Sequence, residues 1–164
     1  MKKIIHSIFS LYLLIFVYSC VGYEPIYKTN LQFEIADYSL AGNEKLANQI
    51  YLKLYNLSNI NKDNPDRESV SIFIKVIKSK IPTVKNSSGK ILEYKINLNI
   101  QVIVINFLTG DEILSEIFDS SSSYKVQDQY FETTKFENRS VENLINNAYE
   151  ELLIKLSENM LAKW

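Results

Sequence analysis

The stretch from Leu92 to Phe107, Leu-Glu-Tyr-Lys-Ile-Asn-Leu-Asn-Ile-Gln-Val-Ile-Val-Ile-Asn-Phe, decides the fold. Every second residue from Leu92 to Val104 is apolar or aromatic, whereas the intervening residues begin as charged and amide side chains. Because successive side chains of a strand point to opposite faces, this alternation predicts a β-strand with one face in a core. As one strand, residues 92–106 would extend about 50 Å, which is two to three times the usual strand length.

Partner strands are predicted on both sides of this segment. Thr109–Asp111 predicts a tight turn, after which Ile113 to about Val126 returns as a strand. The serine run Ser120–Ser123 lies within that return. Since serine is a poor core former, we expect the far end of this hairpin to project beyond the packed body. Earlier in the chain, alternation over Val70–Val76 predicts another strand, and Pro82–Gly89 predicts a wide connection.

Two helices and a further strand complete the pattern. A short half-buried strand at Leu31–Ala36 precedes a helix that begins at Gly42-Asn43 and ends near Leu57. Residues 59–67 predict a loop, residues 127–139 predict a loop or a short helical turn, and Ser140 is predicted to cap the last helix. The apolar stripes consist of Leu46, Ala47, Ile50, Leu54 and Leu57 in the first helix, and of Val141, Leu144, Ile145, Ala148, Leu152, Leu156 and Met160 in the last.

The element order is therefore β-α-β-β-β-α. It predicts an α+β fold, a two-layer α/β sandwich in which a four-stranded mixed sheet carries both helices on one face. The chain has 164 residues and a net charge of −1, which suits a single domain over residues 31–164. Charge this close to balance argues against nucleic acid as a partner.

The first twenty residues predict an export signal. Lys2-Lys3 precedes an apolar stretch of about fifteen residues, shorter than the roughly twenty that a membrane-spanning helix needs. Val17-Tyr18-Ser19-Cys20 is similar to a bacterial lipobox, in which the cysteine is acylated. We therefore expect a lipoprotein signal peptide over residues 1–19 and a lipidated tether over 20–30. The alternative is ordinary cleavage nearby, which would leave Cys20 as a thiol without a disulfide partner.

Histidine and cysteine occur once each, as His6 and Cys20. A mature chain beginning at an acylated Cys20 would contain neither a histidine nor a free thiol. Serine–histidine and cysteine–histidine catalysis and histidine-ligated metal sites would each lose a necessary group. We therefore expect a protein that is not an enzyme and has no cofactor. A carboxylate-dependent periplasmic hydrolase remains as an alternative, although no acidic pair lies in a context that suggests a cleft.

The face of the sheet opposite the helices is a candidate interface. Neutral amide and apolar side chains can meet a partner at a lower desolvation cost than charged ones. The other interpretation is an ordinary hydrated face with scattered apolar residues. The residues predicted to face a partner are Asn97, Asn99, Gln101, Ile103, Ile105 and Phe107, beside Phe73 and Ile77.

Four lysines around the connection after the Val70–Val76 strand form a second candidate site. Lys78, Lys80, Lys85 and Lys90 lie in this region with only Glu93 close by. The cluster is interpreted either as a solvated loop or as a contact for phosphate groups, which lysine binds as a point charge.

These features together resemble the LptE family, the lipopolysaccharide-assembly lipoproteins of Gram-negative outer membranes. The segment Cys20-Val21-Gly22-Tyr23-Glu24-Pro25-Ile26-Tyr27 is similar to the family's Cys-Gly-aromatic-x-Pro-aliphatic-Tyr start, with an inserted Val21. The element order, the mature length, the long central hairpin and the C-terminal helix agree over essentially the whole chain. The resemblance implies a non-enzymatic protein, lipid-anchored through Cys20 on the periplasmic side of the outer membrane.

The resemblance also implies partners. Such a protein plugs the LptD β-barrel translocon, helps the barrel to fold, and assists the passage of lipopolysaccharide to the cell surface. The six partner-facing residues would then face the barrel, and the four lysines would contact the lipid A phosphates. The main alternative is an auxiliary lipoprotein of a lipid-transport ABC system.

Overall fold

The computed structural model describes residues 31–60 and 67–161. The predicted signal peptide, Cys20 and the tether lie outside these residues, as does most of the predicted loop over 59–67. Six elements follow one another in the order β-α-β-β-β-α. They are β1 (Phe33–Gly42), α1 (Glu44–Ile60), β2 (Glu68–Lys85), β3 (Ile91–Asn106), β4 (Glu112–Lys125) and α2 (Tyr130–Leu161).

The strands form one four-stranded mixed sheet in the order β1-β2-β3-β4. β1 runs parallel to β2, while β2–β3 and β3–β4 are antiparallel. The long strand β3 is central, and it pairs with β2 from Ile91 to Asn106 and with β4 from Glu93 to Ile105. The predicted α+β fold and the predicted element order are confirmed.

One hydrophobic core joins a single face of the sheet, here called the inner face, to both helices. Successive side chains of a strand point to opposite faces, so one face takes every second residue. The even-numbered residues of β2 and β3 supply the inner face, from Val70 to Val76 and from Ile96 to Val104. The predicted stripes of the two helices are buried against it, with Met160 partly buried at the end. The opposite face, here called the outer face, is not covered by either described helix.

Helix α1 begins at a site that only glycine fits. Gly42 has a φ of +74°, and a Cβ atom added there would lie 2.2 Å from the carbonyl oxygen of Val76. The next residue, Asn43, donates its N–H to that same oxygen at 2.7 Å. The Asn43 side chain then accepts the N–H of Leu46 at 3.2 Å, which caps the helix at its predicted start.

The connection between β2 and β3 differs from the prediction. β2 continues through Pro82 to Lys85, and β3 starts at Ile91, so the turn is short rather than wide. β1 pairs with β2 only as far as Val76, and beyond that residue β2 is an edge strand. Proline is tolerated on an edge strand because its missing N–H leaves no ladder bond unmade. Register shifts between Pro82 and Lys85 accommodate the ring.

The last helix also differs, because it begins at Tyr130 and Ser140 lies inside it. The prediction of a loop or short turn over residues 127–139 was wrong for most of that segment. Thr133 is buried, and its hydroxyl accepts the N–H of Gln127 at 2.9 Å. Glu137 is held by contacts to the sheet, described below. Tertiary contacts therefore extend the helix beyond its apolar stripe.

The serine run of β4 lies within the packed part of the sheet. Ser120 and Ser122 are on the inner face between Phe118 and Tyr124, which are both buried. The part of the structure that projects is instead the end of the β2–β3 hairpin, here called the hairpin tip (residues 81–92). Nearly all of its side chains are exposed. The first strand is also longer than predicted, with a bulge between Ile35 and Asp37.

Candidate partner and lipid interface

The outer face carries five of the six residues that the sequence analysis predicts to face a partner. Asn97, Asn99, Gln101, Ile103 and Ile105 occupy successive odd positions of β3. The first four are half-buried by their neighbours and Ile105 is exposed. Phe107 lies in the turn after β3, outside the strand. The five β3 residues therefore form one continuous row about 27 Å long.

The amides of this row are hydrogen-bonded across the strands. Asn99 donates its Nδ2–H to the carboxylate of Asp119 at 2.7 Å. Asn97 donates to the hydroxyl of Ser79 at 3.3 Å. These bonds orient the amides, and each amide oxygen retains lone pairs that a partner could use. Asp119 was missed by the sequence analysis, and the register of β4 against β3 is the signal that places it there.

Apolar side chains flank the amides on both sides. Ile77 on β2 is 49% exposed and pairs with Asn99, and Ile117 on β4 is 57% exposed and pairs with Gln101. Phe73 lies next to Ile103, and both are half-buried. Large apolar residues on three adjacent strands, exposed on one face, are typical of an interaction surface. Ile117 was not singled out from the sequence, although it follows the alternation of β4.

The structure separates the four lysines of the second candidate site into two pairs. Lys78 and Lys80 continue the even-numbered inner face of β2 and point towards α2, where both contact Glu137. The Nζ of Lys80 also lies 4.3 Å from the centre of the Tyr94 ring. Lys78 and Lys80 are thus engaged within the fold. The parity of β2 is the signal that could have revealed this.

Charge on Glu137 is stabilised by its three neighbours. Burial opposes ionisation, but hydrogen bonds from Lys78, Lys80 and Tyr124 outweigh it and lower the pKa of Glu137 from 4.5 to about 2. Burial likewise opposes the charge on Lys80, while its hydrogen bonds to Glu137 and Tyr124 raise its pKa. Both groups are therefore ionised throughout the physiological pH range.

Lys85 and Lys90 lie at the hairpin tip and are exposed. Within the described part of the chain, neither lysine forms an ion pair with an acid. The turn between them is ordered by Asn86, whose Oδ1 accepts the N–H groups of Ser88 at 3.1 Å and Lys90 at 2.8 Å. Glu93, the acid that lies close to these lysines in the sequence, accepts a hydrogen bond from Thr83 at 3.0 Å. This arrangement leaves two ammonium groups available to an anionic ligand.

Over residues 31–60 and 67–161, no helix is long and apolar enough to cross a membrane. No group of three or more histidine, cysteine, aspartate or glutamate side chains in the same ranges could hold a metal ion.

Sequence comparison and structure comparison give different results. No protein-family model matches the chain, and no curated protein is significantly similar to it. The structure, in contrast, is similar to several solved bacterial proteins. One is a candidate lipoprotein of Caulobacter crescentus, with a TM-score of 0.58 at 12% identity, covering 84% of this chain and 97% of that one.

Two other solved structures are similar at comparable levels. The uncharacterised lipoprotein B of Nitrosomonas europaea has a TM-score of 0.56 at 12% identity, covering 80% of this chain and 87% of that one. A minor lipoprotein of Acinetobacter baumannii has a TM-score of 0.52 at 14% identity, covering 79% and 95%. Identity this low speaks to architecture and not to activity. The chain therefore shares the fold of these three bacterial proteins.

Proposed function

We propose that this protein is an outer-membrane lipoprotein, anchored through an acylated Cys20 on the periplasmic side, that plugs the lumen of an LptD-type β-barrel. In this role it would help the barrel to fold and assist lipopolysaccharide transport to the cell surface. The observation that carries the proposal is the outer face, where oriented amides and exposed apolar side chains share a sheet surface that neither described helix covers.

The chemistry of this surface suits the inside of a barrel. The lumen of a large outer-membrane barrel is polar, so a plug needs groups that can form hydrogen bonds with the wall. Asn97, Asn99 and Gln101 supply such groups at a low desolvation cost. Ile77 and Ile117 on either side supply apolar area, which stabilises the contact by excluding water.

The lipid anchor is supported by the sequence at Cys20 and by the shared fold. The three solved proteins of the same fold carry lipoprotein names, one of them as a candidate. Acyl chains on Cys20 would hold the domain at the inner leaflet of the outer membrane, while the barrel would supply the second attachment that stable anchoring needs.

Lipopolysaccharide contact is assigned to the hairpin tip. Lys85 and Lys90 are exposed there, and the phosphates of lipid A are anionic. Exposed apolar side chains at Ile81, Val84 and Leu92 accompany the two lysines. An amphipathic lipid could therefore meet charge and apolar surface together at this end of the molecule.

Purification of the tagged full-length protein from its native membranes in mild detergent tests this proposal. We expect a stoichiometric outer-membrane β-barrel of the LptD type in the wild-type complex. Ile103→Asp is expected to reduce its recovery, while Ile154→Asp, at an exposed position on α2, is the matched control and should not. An inner-membrane ABC transporter in place of the barrel would contradict the proposal and favour the auxiliary-lipoprotein alternative.

A further inference from the structure

The turn between β3 and β4 exposes two neighbouring large apolar side chains. Phe107 is 53% exposed and Leu108 is 81% exposed. We propose that this turn contacts the interface of a phospholipid bilayer, the same bilayer that would hold the acylated Cys20. The inference rests on the lipid anchor of the proposed function and adds a second, protein-borne membrane contact to it.

The backbone donors of the turn are already satisfied by hydrogen bonds. The Oδ1 of Asn106 accepts the N–H groups of Leu108 and Thr109, both at 2.9 Å. The backbone of Asn106 accepts the N–H of Gly110 at 2.9 Å and donates to the carbonyl of Asp111 at 2.8 Å. Backbone N–H groups paired in this way can leave water at little cost. The turn therefore presents its two apolar side chains without stranding backbone donors.

The turn lies at the end of the sheet from which the tether would leave. The carbonyl of Gln32 on the N-terminal side of β1 accepts the N–H of Glu68 on β2 at 3.1 Å. Ser69, which follows Glu68 on β2, accepts the N–H of Phe107 through its carbonyl at 2.8 Å. Gln32 and Phe107 are thus about two strand spacings apart, roughly 10 Å. Residues 20–30 can extend at most roughly 40 Å. A bilayer that holds Cys20 is therefore within reach of the turn.

The charges near the turn indicate the class of lipid. Asp111 and Glu112 directly follow it, and the Asn106 side chain donates to the carboxylate of Glu68 at 2.7 Å. The nearby Arg67 lies 3.4 Å from Glu34. Negative charge at this end disfavours an anionic lipid surface. The expected contact is with zwitterionic headgroups, at the depth where phenylalanine and leucine enter the boundary of the acyl chains.

Tryptophan fluorescence in vesicles tests the contact. The full-length acylated protein would carry Trp164→Phe, to remove its only tryptophan, together with Phe107→Trp. The matched control is Phe131→Trp in the same background, because Phe131 is 73% exposed at the first turns of α2, near the opposite end of the sheet. Both proteins would be reconstituted into phosphatidylethanolamine vesicles containing phosphatidylcholine with brominated acyl chains, and flotation would report the anchor separately.

We expect the tryptophan at position 107 to shift its emission to shorter wavelength and to lose fluorescence to the brominated chains, and the one at 131 to do neither. Protein that floats without quenching at 107, or with equal quenching at both positions, overturns the membrane contact and leaves the anchor intact. Protein that does not float overturns both the anchor and the contact. A blue shift at 107 without vesicles shows that protein covers the turn, and also overturns the inference.

Discussion

The Nζ atom of Lys80 lies 2.6 Å from Oε2 of Glu137, which joins the edge of β2 to the first turns of α2. The same carboxylate contacts the Nζ of Lys78 at 2.8 Å and accepts the Tyr124 hydroxyl at 2.9 Å. One acidic side chain thus connects three groups on two non-adjacent strands to the helix. This contact explains why α2 begins at Tyr130, ten residues before the start at Ser140 that its apolar stripe predicts.

Replacing this carboxylate should destabilise the fold in a pH-dependent way. The pKa of Glu137 is lowered from 4.5 to about 2 in the folded state, so its stabilisation is complete above pH 4.5 and is lost as the pH falls towards 2. We expect Glu137→Gln to lower the free energy of unfolding by about 1–3 kcal/mol at neutral pH. Denaturant titrations between pH 2 and 7 measure this difference.

The difference between wild type and Glu137→Gln should shrink below pH 4.5. Glu142→Gln is the control, because this exposed acid lies on the same helix and forms no ion pair within the described residues. Equal destabilisation by both variants, or a difference that does not vary with pH, would show that the contact does not stabilise the fold as argued.

The two faces of β3 should respond differently to a buried charge. Leu98 is 1% exposed on the inner face, so Leu98→Asp would place an unpaired carboxylate in the core at a cost of several kcal/mol. Ile103 is on the outer face, and Ile103→Asp should cost only about 1 kcal/mol. Thermal unfolding followed by circular dichroism compares them. A well-folded Leu98→Asp protein would show that the inner face has been misassigned.

Two glycines with positive φ provide a matched pair. Gly42 and Gly110 have φ values of +74° and +77°, but only at Gly42 would a Cβ atom collide with a neighbour, the carbonyl of Val76. Gly110→Ala should lower the free energy of unfolding by about 1–2 kcal/mol through backbone strain alone. Gly42→Ala should lower it by clearly more. Equal losses in denaturant titrations would mean that the close approach at Val76 relaxes freely.

The proposed lipid anchor predicts separate effects on location and on folding. Cys20→Ala should release the protein from membranes, because one or more acyl chains would be lost, and should leave the unfolding midpoint unchanged. Membrane fractionation together with metabolic labelling by palmitate measures the first effect. A Cys20→Ala protein that stays in the membrane fraction would contradict acylation as the anchor.

The division of the lysines predicts which pair meets lipopolysaccharide. Lys85→Gln with Lys90→Gln should weaken binding of lipopolysaccharide by the full-length protein without changing its stability, because both side chains are exposed. Lys45→Gln, an exposed lysine on α1, is the control. Fluorescence titration with labelled lipopolysaccharide measures the affinity. Unchanged affinity in the double variant, or an equal loss in the control, would contradict the assignment to the hairpin tip.

Local patterns in the sequence were sufficient to predict the buried faces of elements in which buried residues recur at a regular spacing. The alternation from Ile96 to Val104 and the stripe from Leu46 to Leu57 both predicted buried faces correctly, because each element packs one continuous side against the core. The start of α1 after Gly42-Asn43 also followed from residue type and position. These features depend on neighbours close in the chain.

Features that depend on distant residues were missed. The start of α2 relies on Glu137 contacting Lys78 and Lys80, which lie more than fifty residues earlier in the chain. The extension of β2 through Pro82 depends on where β1 stops pairing. The outer face was assigned from β2 and β3 alone, so Asp119 and Ile117 on β4 entered only with the strand register. Contacts between residues distant in the chain decide each of these cases.

The most direct test of the proposed plug is site-specific crosslinking from the outer face. A photoreactive amino acid at Ile103, introduced into the full-length protein in its native cells, should crosslink to an LptD-type barrel after irradiation. The same group at Leu52, an exposed position on α1, should give little or no such product. A barrel crosslink from Leu52 and none from Ile103 would contradict the claim that the outer face binds the barrel.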